Sequence, residues 1–263
     1  MGKKIGSYEI VSKIAEGGFG TTYKAMHSIA NMPVCIKHST DCSDEDEKIL
    51  VKEAQSIWNL RHYGVPAIMD IIRVSDKSLA LVMSYIPDKN LAEVLEDHPN
   101  GLEPEDVAWI CSRTLNVLKY LHMHGVIHGD MKPQNMMIQQ EEHLVTLVDY
   151  GLASIRPTAM TESIGYTPYF AAPEQIAGKT PIPETDLYGL GMSMIFALGG
   201  DVEKVKVPAT TPDNMVKFIK DLIRRDPLQR PKIWKEDLCE TFRQVRLKDF
   251  GRDSSGMKPF KKK

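Results

Sequence analysis

The chain has 263 residues, with 33 lysines and arginines against 35 aspartates and glutamates, and a formal net charge of −2. A chain of this length can bury a sizeable hydrophobic core in one or two lobes. The balanced charge argues against a nucleic-acid-binding protein, which would carry a strongly basic face. Since the longest apolar stretch is too short to cross a bilayer, we also expect no transmembrane segment.

The cysteines favour a reducing environment. The sequence contains four of them, and none forms a C-x-x-C pair. Reduced thiols in a cytoplasmic protein are therefore the simplest interpretation. The cysteines are Cys35, Cys42, Cys111 and Cys239.

The first part of the chain is predicted to be rich in β-strands and to contain one helix. Residues 8–38 consist of strand-like segments around a cluster of glycines at 17, 18 and 20. Ser43 is predicted to be a helix N-cap, because the acidic residues that follow it suit the positive end of a helix dipole. Residues 68–72 and 79–83 are predicted to be the next strands.

The second part of the chain is predicted to be mostly helical. Pro104 suits the first turn of a long helix, and Gly125 suits its C-cap. The apolar run of residues 187–199 is predicted to be a buried helix. The domain boundaries that follow are 1–83 for an N-terminal lobe, 84–90 for a hinge, 91–245 for a C-terminal lobe and 246–263 for a basic, flexible tail.

The sequence HGDMKPQN of residues 128–135 contains groups that phosphoryl transfer needs. Asp130 offers a carboxylate that could hold an acceptor hydroxyl, and Lys132 offers an ammonium that could neutralise a moving phosphate. This reaction depends on charge neutralisation and positioning more than on covalent chemistry by the protein. The pattern therefore predicts transfer of a phosphate from ATP.

Two further residues are candidate metal ligands. Asn135 ends the same block, and Asp149 begins the sequence DYG on a predicted glycine turn. Carboxylate and amide oxygens are the ligands that Mg²⁺ prefers. We therefore expect Mg²⁺, with Mn²⁺ as the alternative ion.

These motifs stand in the order found in eukaryotic-type protein kinase catalytic domains, which the chain resembles over roughly residues 8–245. The resemblance implies an α+β, bilobal fold with a small β-rich N-lobe, one main helix in that lobe, a larger helical C-lobe, and MgATP in the cleft between them. The segments that carry it are Glu16–Gly20, Val34–Lys37, Glu53, His128–Asn135 (which resembles the family's catalytic loop), Asp149–Gly151 (its metal-binding turn), Ala172–Glu174 (the end of its activation segment), Asp186–Gly191 and Arg230.

The resemblance also implies roles for individual residues. Lys37 would contact the α- and β-phosphates, and Glu53 would fix its position, so both join Asp130 and Lys132 as catalytic candidates. Met83 stands at the gatekeeper position behind adenine. The residues implied to line the ATP site are Ile14, Gly17, Gly18, Phe19, Gly20, Thr22, Cys35, Lys37, Met83, Ser84, Tyr85, Ile86 and Met137.

The main departure from the family pattern is Gly129, where an arginine is common. That arginine can hold a phosphate on the activation segment, and glycine cannot. We therefore expect activity that does not depend strictly on activation-segment phosphorylation. Candidate autophosphorylation sites are Thr158, Thr161 and Ser163.

Lys132 resembles the lysine found at this position in Ser/Thr kinases, which favours Ser or Thr acceptors. Residues 165–174 resemble the family's segment that receives a peptide, which favours protein substrates. The stretch of residues 201–212, however, leaves little room for a helix that often docks substrates. Two alternatives stay open at this point. One is an ATP-binding pseudokinase that acts as a scaffold, and the other is a kinase of a small molecule.

Overall fold

The computed structural model describes residues 4–17, 20–40, 43–233 and 235–253, without the side chains of residues 40, 44 and 45. The predicted ATP-site residues Gly18 and Phe19 and residues 254–263 of the predicted tail lie outside the described residues. The chain divides into two compact units, Met1–Pro87 (unit 1) and Asp88–Lys263 (unit 2). The predicted α+β fold class is confirmed, because unit 1 is built on a sheet and unit 2 is mainly helical.

Unit 1 contains an antiparallel six-stranded sheet and one long helix. The strand order across the sheet is β1-β2-β3-β4-β6-β5. The strands are β1 (Lys4–Ile5), β2 (Tyr8–Gly17), β3 (Gly20–His27), β4 (Pro33–Thr40), β5 (Ile68–Ser75) and β6 (Ser78–Ser84), and the helix is α1 (Asp44–Ile57).

The core of unit 1 lies on both faces of β6. This strand is an almost continuous apolar run, as expected for a strand that is buried on both sides. On one face Ala80 and Val82 pack in a cluster with Ile36 of β4. On the other face Leu79, Leu81 and Met83 pack in a cluster with Leu50 and Ala54 of α1. Strand β2 differs, because most of its side chains are exposed.

The start of α1 is fixed by a capping box. The Ser43 hydroxyl accepts a hydrogen bond from the Asp46 backbone N–H, and the Asp46 carboxylate accepts one from the Ser43 backbone N–H. Two of the backbone donors at this helix end are thereby satisfied. The predicted N-cap at Ser43 is confirmed.

Unit 2 contains six helices within its described residues. Between them lie two pairs of short strands and two single 3₁₀ turns. The elements are α2 (Leu91–Glu96), α3 (Pro104–Met123), β7 (Val126–Ile127), a 3₁₀ turn (Pro133–Asn135), β8 (Met136–Gln139), β9 (Leu144–Leu147), β10 (Ser154–Ile155), α4 (Pro173–Ile176), α5 (Pro183–Ala197), α6 (Asp213–Leu222), a second 3₁₀ turn (Pro227–Gln229) and α7 (Leu238–Phe250).

Helix α3 has a proline as its first residue and a glycine just after its last turn. Pro104 is its first residue, as predicted, and needs no hydrogen-bond acceptor for a backbone N–H there. The predicted C-cap was one residue too far along the chain. His124 caps the helix, and Gly125 follows with φ of 76°, because the chain turns away through a left-handed residue.

Helix α5 is the central helix of unit 2. It is buried along almost its whole length, which agrees with the predicted buried helix, although it begins earlier, at Pro183. Gly189 allows the catalytic loop to approach closely, since a Cβ there would lie 2.7 Å from the Met131 carbonyl oxygen. Helices α3 and α6 both pack against α5. No helix within the described residues is long and apolar enough to cross a membrane.

The connection between α5 and α6 is short and, as predicted, contains no helix. It closes on itself through backbone hydrogen bonds in both directions between Asp201 and Lys206. Within this turn Val205 has φ of 52°, an unusual conformation for a β-branched residue.

Candidate active site

The centre of unit 1 is an ion pair between β4 and α1. The Lys37 Nζ donates a hydrogen bond to Glu53 Oε2 at 2.7 Å, and the two residues are only 8% and 2% exposed. A charge buried to this extent is costly unless a partner or a ligand compensates it. Sequence and structure therefore agree that these two residues lie together.

Neighbouring strands place three of the predicted ATP-site residues beside Lys37. Thr22 of β3 is paired with Lys37, and Cys35 is paired with Met83 of β6. Burial raises the pKa of the Cys35 thiol to about 12, and the Glu53 carboxylate adds to this effect. The thiol is therefore neutral at physiological pH.

Two of the clustered glycines, Gly17 and Gly20, lie at the adjacent ends of β2 and β3. Gly17 is paired with Gly20, and Gly20 has φ of 132°, in a region that side chains disfavour. A Cβ at Gly20 would lie 2.7 Å from the His38 carbonyl oxygen. Ile14 lies nearby on β2 and is exposed.

The predicted hinge residues begin at the end of β6. The Ser84 backbone N–H donates to the Ala67 carbonyl, and its hydroxyl accepts from the Ala67 N–H. The Lys24 ammonium lies 4.6 Å from the centre of the Tyr85 ring. Ile86 follows, half-buried, one residue before unit 1 ends at Pro87.

The centre of unit 2 is the Asp130 carboxylate, which is 8% exposed. The Thr167 hydroxyl donates to its Oδ1 at 2.6 Å, and the Lys132 ammonium lies 2.7 Å from its Oδ2. Lys132 also donates to the Thr167 hydroxyl at 3.0 Å. One carboxylate therefore receives both a hydroxyl and an ammonium, as phosphoryl transfer to a hydroxyl requires.

The two candidate metal ligands flank the β8–β9 strand pair. Asn135 comes directly before β8, and Asp149 follows β9 by two residues. The Asn135 Nδ2 donates to the Asp130 carbonyl and to its carboxylate, at 2.9 and 3.0 Å. Because the amide nitrogen is used in this way, its oxygen is the atom suited to a cation. Asp149 has φ of 62° and follows Val148, whose N–H donates to the Asn135 carbonyl. This donor set of carboxylate and amide oxygens fits a hard divalent cation. Met137, predicted to line the ATP site, lies on β8 and forms a β-bridge with Asn90.

The catalytic loop is held by a carboxylate of α5. The Asp186 carboxylate accepts from the backbone N–H groups of His128 and Gly129, at 2.9 and 2.8 Å. The His122 ring nitrogen lies 2.7 Å from the same carboxylate. His122 therefore takes part in a structural hydrogen bond with the carboxylate that holds the loop.

A second anchor joins the end of the activation segment to a later part of the chain. Arg230 makes two hydrogen bonds to the Glu174 carboxylate, at 2.6 and 2.8 Å, and its side chain is fully buried. The Thr185 hydroxyl also donates to Glu174. Two of the residues that carry the family resemblance, Glu174 and Arg230, are thus paired with each other.

The candidate autophosphorylation sites lie near one another on the activation segment. The Thr161 hydroxyl accepts from the Thr158 backbone N–H at 2.9 Å, and the Ser163 hydroxyl donates to the Gly165 carbonyl at 3.0 Å. Thr158 is exposed and the other two are half-buried.

One residue that contacts this site was not predicted from the sequence. Gln175 is 7% exposed, and its side-chain amide donates to the Gly129 carbonyl at 2.7 Å. Its amide oxygen accepts from the Ala172 backbone N–H at 3.2 Å. Its partner is a backbone carbonyl far along the chain, so no sequence pattern marks the contact.

Comparison with known proteins gives results that agree with this geometry. The family model for the protein kinase domain matches residues 8–202. A probable serine/threonine-protein kinase of Clostridium perfringens is 30% identical, and the alignment covers 90% of this chain and 38% of that protein.

Two further relatives are similar at nearly the same level. Serine/threonine-protein kinase D of Synechocystis is 30% identical over 73% of this chain and 40% of its own length. Cyclin-dependent kinase 14 of Oryctolagus cuniculus is 29% identical over 75% of this chain and 42% of its own length. The chain thus spans about two fifths of the length of the curated relatives it matches.

Proposed function

Because the chain belongs to the protein kinase family, we propose that it transfers the γ-phosphate of ATP to serine and threonine hydroxyls of proteins. The observation that carries this proposal is the convergence of the Thr167 hydroxyl and the Lys132 ammonium on the Asp130 carboxylate. The similarity to two bacterial serine/threonine-protein kinases supports serine and threonine as acceptors.

In this proposal Asp130 orients the acceptor. Its carboxylate accepts a hydrogen bond from the incoming hydroxyl, in the way that it accepts one from Thr167, and thereby directs the oxygen lone pair. The Lys132 ammonium beside it stabilises negative charge on the phosphate during transfer. Positioning of this kind accounts for most of the catalysis in phosphoryl transfer.

Asn135 and Asp149 would hold Mg²⁺, with Mn²⁺ as the alternative. A bound divalent cation neutralises charge on the phosphate oxygens. The Asn135 amide is already oriented by its hydrogen bonds to Asp130, so little side-chain freedom would be lost when its oxygen becomes a ligand.

In unit 1 Lys37 would contact the nucleotide phosphates. Its stem lies in a buried strand and its ammonium is paired with Glu53, so it is held in one direction before the nucleotide binds. The neighbouring Thr22, Cys35 and Met83, with Ile14, Gly17 and Gly20 on the hairpin of β2 and β3, are the proposed nucleotide contacts of this unit. The free thiols of Cys35, Cys111 and Cys239 support a cytoplasmic location.

The replacement of Asp149 by asparagine tests the site. We expect Asp149→Asn to abolish phosphate transfer and leave the fold unchanged, because it removes the metal carboxylate and keeps the size of the side chain. The measurement is intact-mass spectrometry after incubation with MgATP and a mixed Ser/Thr peptide library, with circular dichroism as the folding control. Undiminished transfer by the variant would refute the assignment of Asp149.

We further propose that activity does not require phosphate on the activation segment. Gly129 offers no cation for such a phosphate. The variant in which Thr158, Thr161 and Ser163 are all alanine should keep its turnover within about three-fold of wild type, a difference below 1 kcal/mol in activation free energy. Turnover that is lost in this variant, and in phosphatase-treated wild type, would contradict the proposal.

A further inference from the structure

The peptide group that joins Gly129 to Asp130 is held on both sides by side chains. Its carbonyl accepts from the Gln175 side-chain amide at 2.7 Å. Its N–H, which belongs to Asp130, donates to the His128 ring at 3.3 Å. The orientation of this peptide sets the direction in which the Asp130 side chain leaves the backbone.

The Gln175 side chain is itself fixed. It is 7% exposed, and its oxygen accepts from the backbone N–H of Ala172, at the start of the same short helix. The preceding residue, Glu174, is held by Arg230 through two hydrogen bonds. Gln175 therefore projects from a rigid point, and its amide can transmit that rigidity to the catalytic loop.

The backbone conformation of Gly129 disfavours a cationic side chain there, and the hydrogen bond from Gln175 takes the place of the contact that such a side chain would make. Gly129 has φ of 77°, and a Cβ there would lie 2.6 Å from the Leu152 carbonyl oxygen. A side chain at this position, such as an arginine that could reach a phosphate, would require the backbone to move. The carbonyl of the same residue is instead bound by a neutral amide, which is present whether or not the segment is phosphorylated.

We propose that Gln175 is a positioning residue for Asp130, which ties the end of the activation segment to the catalytic loop by a hydrogen bond that needs no phosphate. The inference rests on the proposed kinase function, in which Asp130 orients the acceptor hydroxyl. It assigns to one uncharged side chain the coupling that a phosphate and an arginine would otherwise supply.

The test uses Gln175→Met, which keeps a similar length and removes both hydrogen bonds. We expect its kcat to fall at least ten-fold with a KM for ATP within two-fold of wild type, because Asp130 loses its orientation and the nucleotide contacts of unit 1 are unchanged. The same fall is expected in the background where Thr158, Thr161 and Ser163 are alanine.

Thr114→Val is the matched control. The Thr114 hydroxyl is fully buried and donates to the Ile110 carbonyl within α3, so its loss also removes a buried hydrogen bond from a side chain to the backbone. We expect a comparable decrease in Tm and an unchanged kcat. A kcat of Gln175→Met within two-fold of wild type, at a temperature where both are folded, would overturn the proposal.

Hydrogen exchange of the peptide covering residues 128–135 provides a readout that needs no activity. We expect faster exchange in Gln175→Met than in wild type and no change in Thr114→Val. If wild type itself transfers no phosphate, the proposed function fails, and the exchange data alone decide on Gln175. Unchanged exchange in Gln175→Met would then refute its positioning role.

Discussion

Lys37 and Glu53 illustrate how a single pair of residues can make unit 1 ready for a ligand. Both side chains are almost fully removed from water, and their hydrogen bond is 2.7 Å long. Loss of one partner from such a pair leaves a buried charge and is strongly destabilising. The pair therefore serves stability as well as the proposed phosphate contact, and variants at either residue need a folding control.

Cys35 provides a test of the electrostatics in this region. Burial, followed by the charge of Glu53, raises the pKa of its thiol to about 12. Only the thiolate reacts with alkylating agents, so on the order of one molecule in ten thousand is reactive at pH 8. We expect iodoacetamide to leave Cys35 largely unmodified in the native protein between pH 7 and 9, because even at pH 9 only about one molecule in a thousand would be the thiolate.

The measurement is peptide mapping after alkylation, with protein unfolded in urea as the positive control. Because the raised pKa lies above this whole range, native reactivity should stay low throughout it. Rapid native alkylation of Cys35 whose rate levels off near pH 9 would show that the thiol is less buried than described, since a thiol of ordinary pKa, about 8.5, is largely ionised at that pH.

At the residue level, the sequence predicted the site where chemistry imposes residue type. Carboxylate, ammonium and amide at fixed spacing identified Asp130, Lys132 and Asn135, and the structure brings these three together. Gln175 could not be found in this way. Its role depends on a hydrogen bond to the Gly129 carbonyl, which is distant in sequence. A glutamine near the start of a helix does not by itself indicate any particular contact.

At the scale of elements, prediction succeeded where local chemistry decides the structure. The Ser43 cap and the Pro104 helix start depend on a few neighbouring residues, and both are correct. The ends of elements were less accurate. Helix α5 extends to Pro183 because tertiary packing buries its first turn, including Glu184 and Asp186, which no hydrophobic pattern would include.

The direct connection between α5 and α6 changes which surfaces unit 2 presents. Residues 198–212 connect α5 to α6 without forming a helix. Helix α6 packs directly on α5. A helix that often docks substrates in the family thus has no counterpart among these residues.

At the scale of the whole chain, unit 2 extends beyond the part matched by the family model. The match to the family model ends at residue 202. Beyond that residue, α6 packs on α5 and α7 packs on α3. Arg230 also lies beyond that limit, and its guanidinium satisfies the buried Glu174. Helices α6 and α7 and Arg230 are therefore part of the folded unit that contains the catalytic loop.

Arg230→Leu tests this dependence. We expect the variant to lose about 3–5 kcal/mol of unfolding free energy, because the Glu174 carboxylate would be left buried without its partner. Urea unfolding followed by far-UV circular dichroism measures the change.

Arg243→Leu is the control, since Arg243 forms an exposed pair with Glu240. Exposed pairs contribute little to stability, so this variant should unfold at nearly the wild-type midpoint. Equal effects of the two substitutions would contradict the role given to the Glu174–Arg230 pair.

The exposure of β2 has a consequence for thermal behaviour. Tyr8 anchors this strand in the core, but residues 11–17 are exposed and are joined to β3 mainly by backbone hydrogen bonds. Separating that end would uncover little apolar surface, so its heat capacity change would be small. The free energy of this opening should then change almost linearly with temperature, while that of global unfolding follows a strongly curved profile. The exposed end of β2 beside the proposed phosphate contact should therefore not share the temperature of maximum stability of the core.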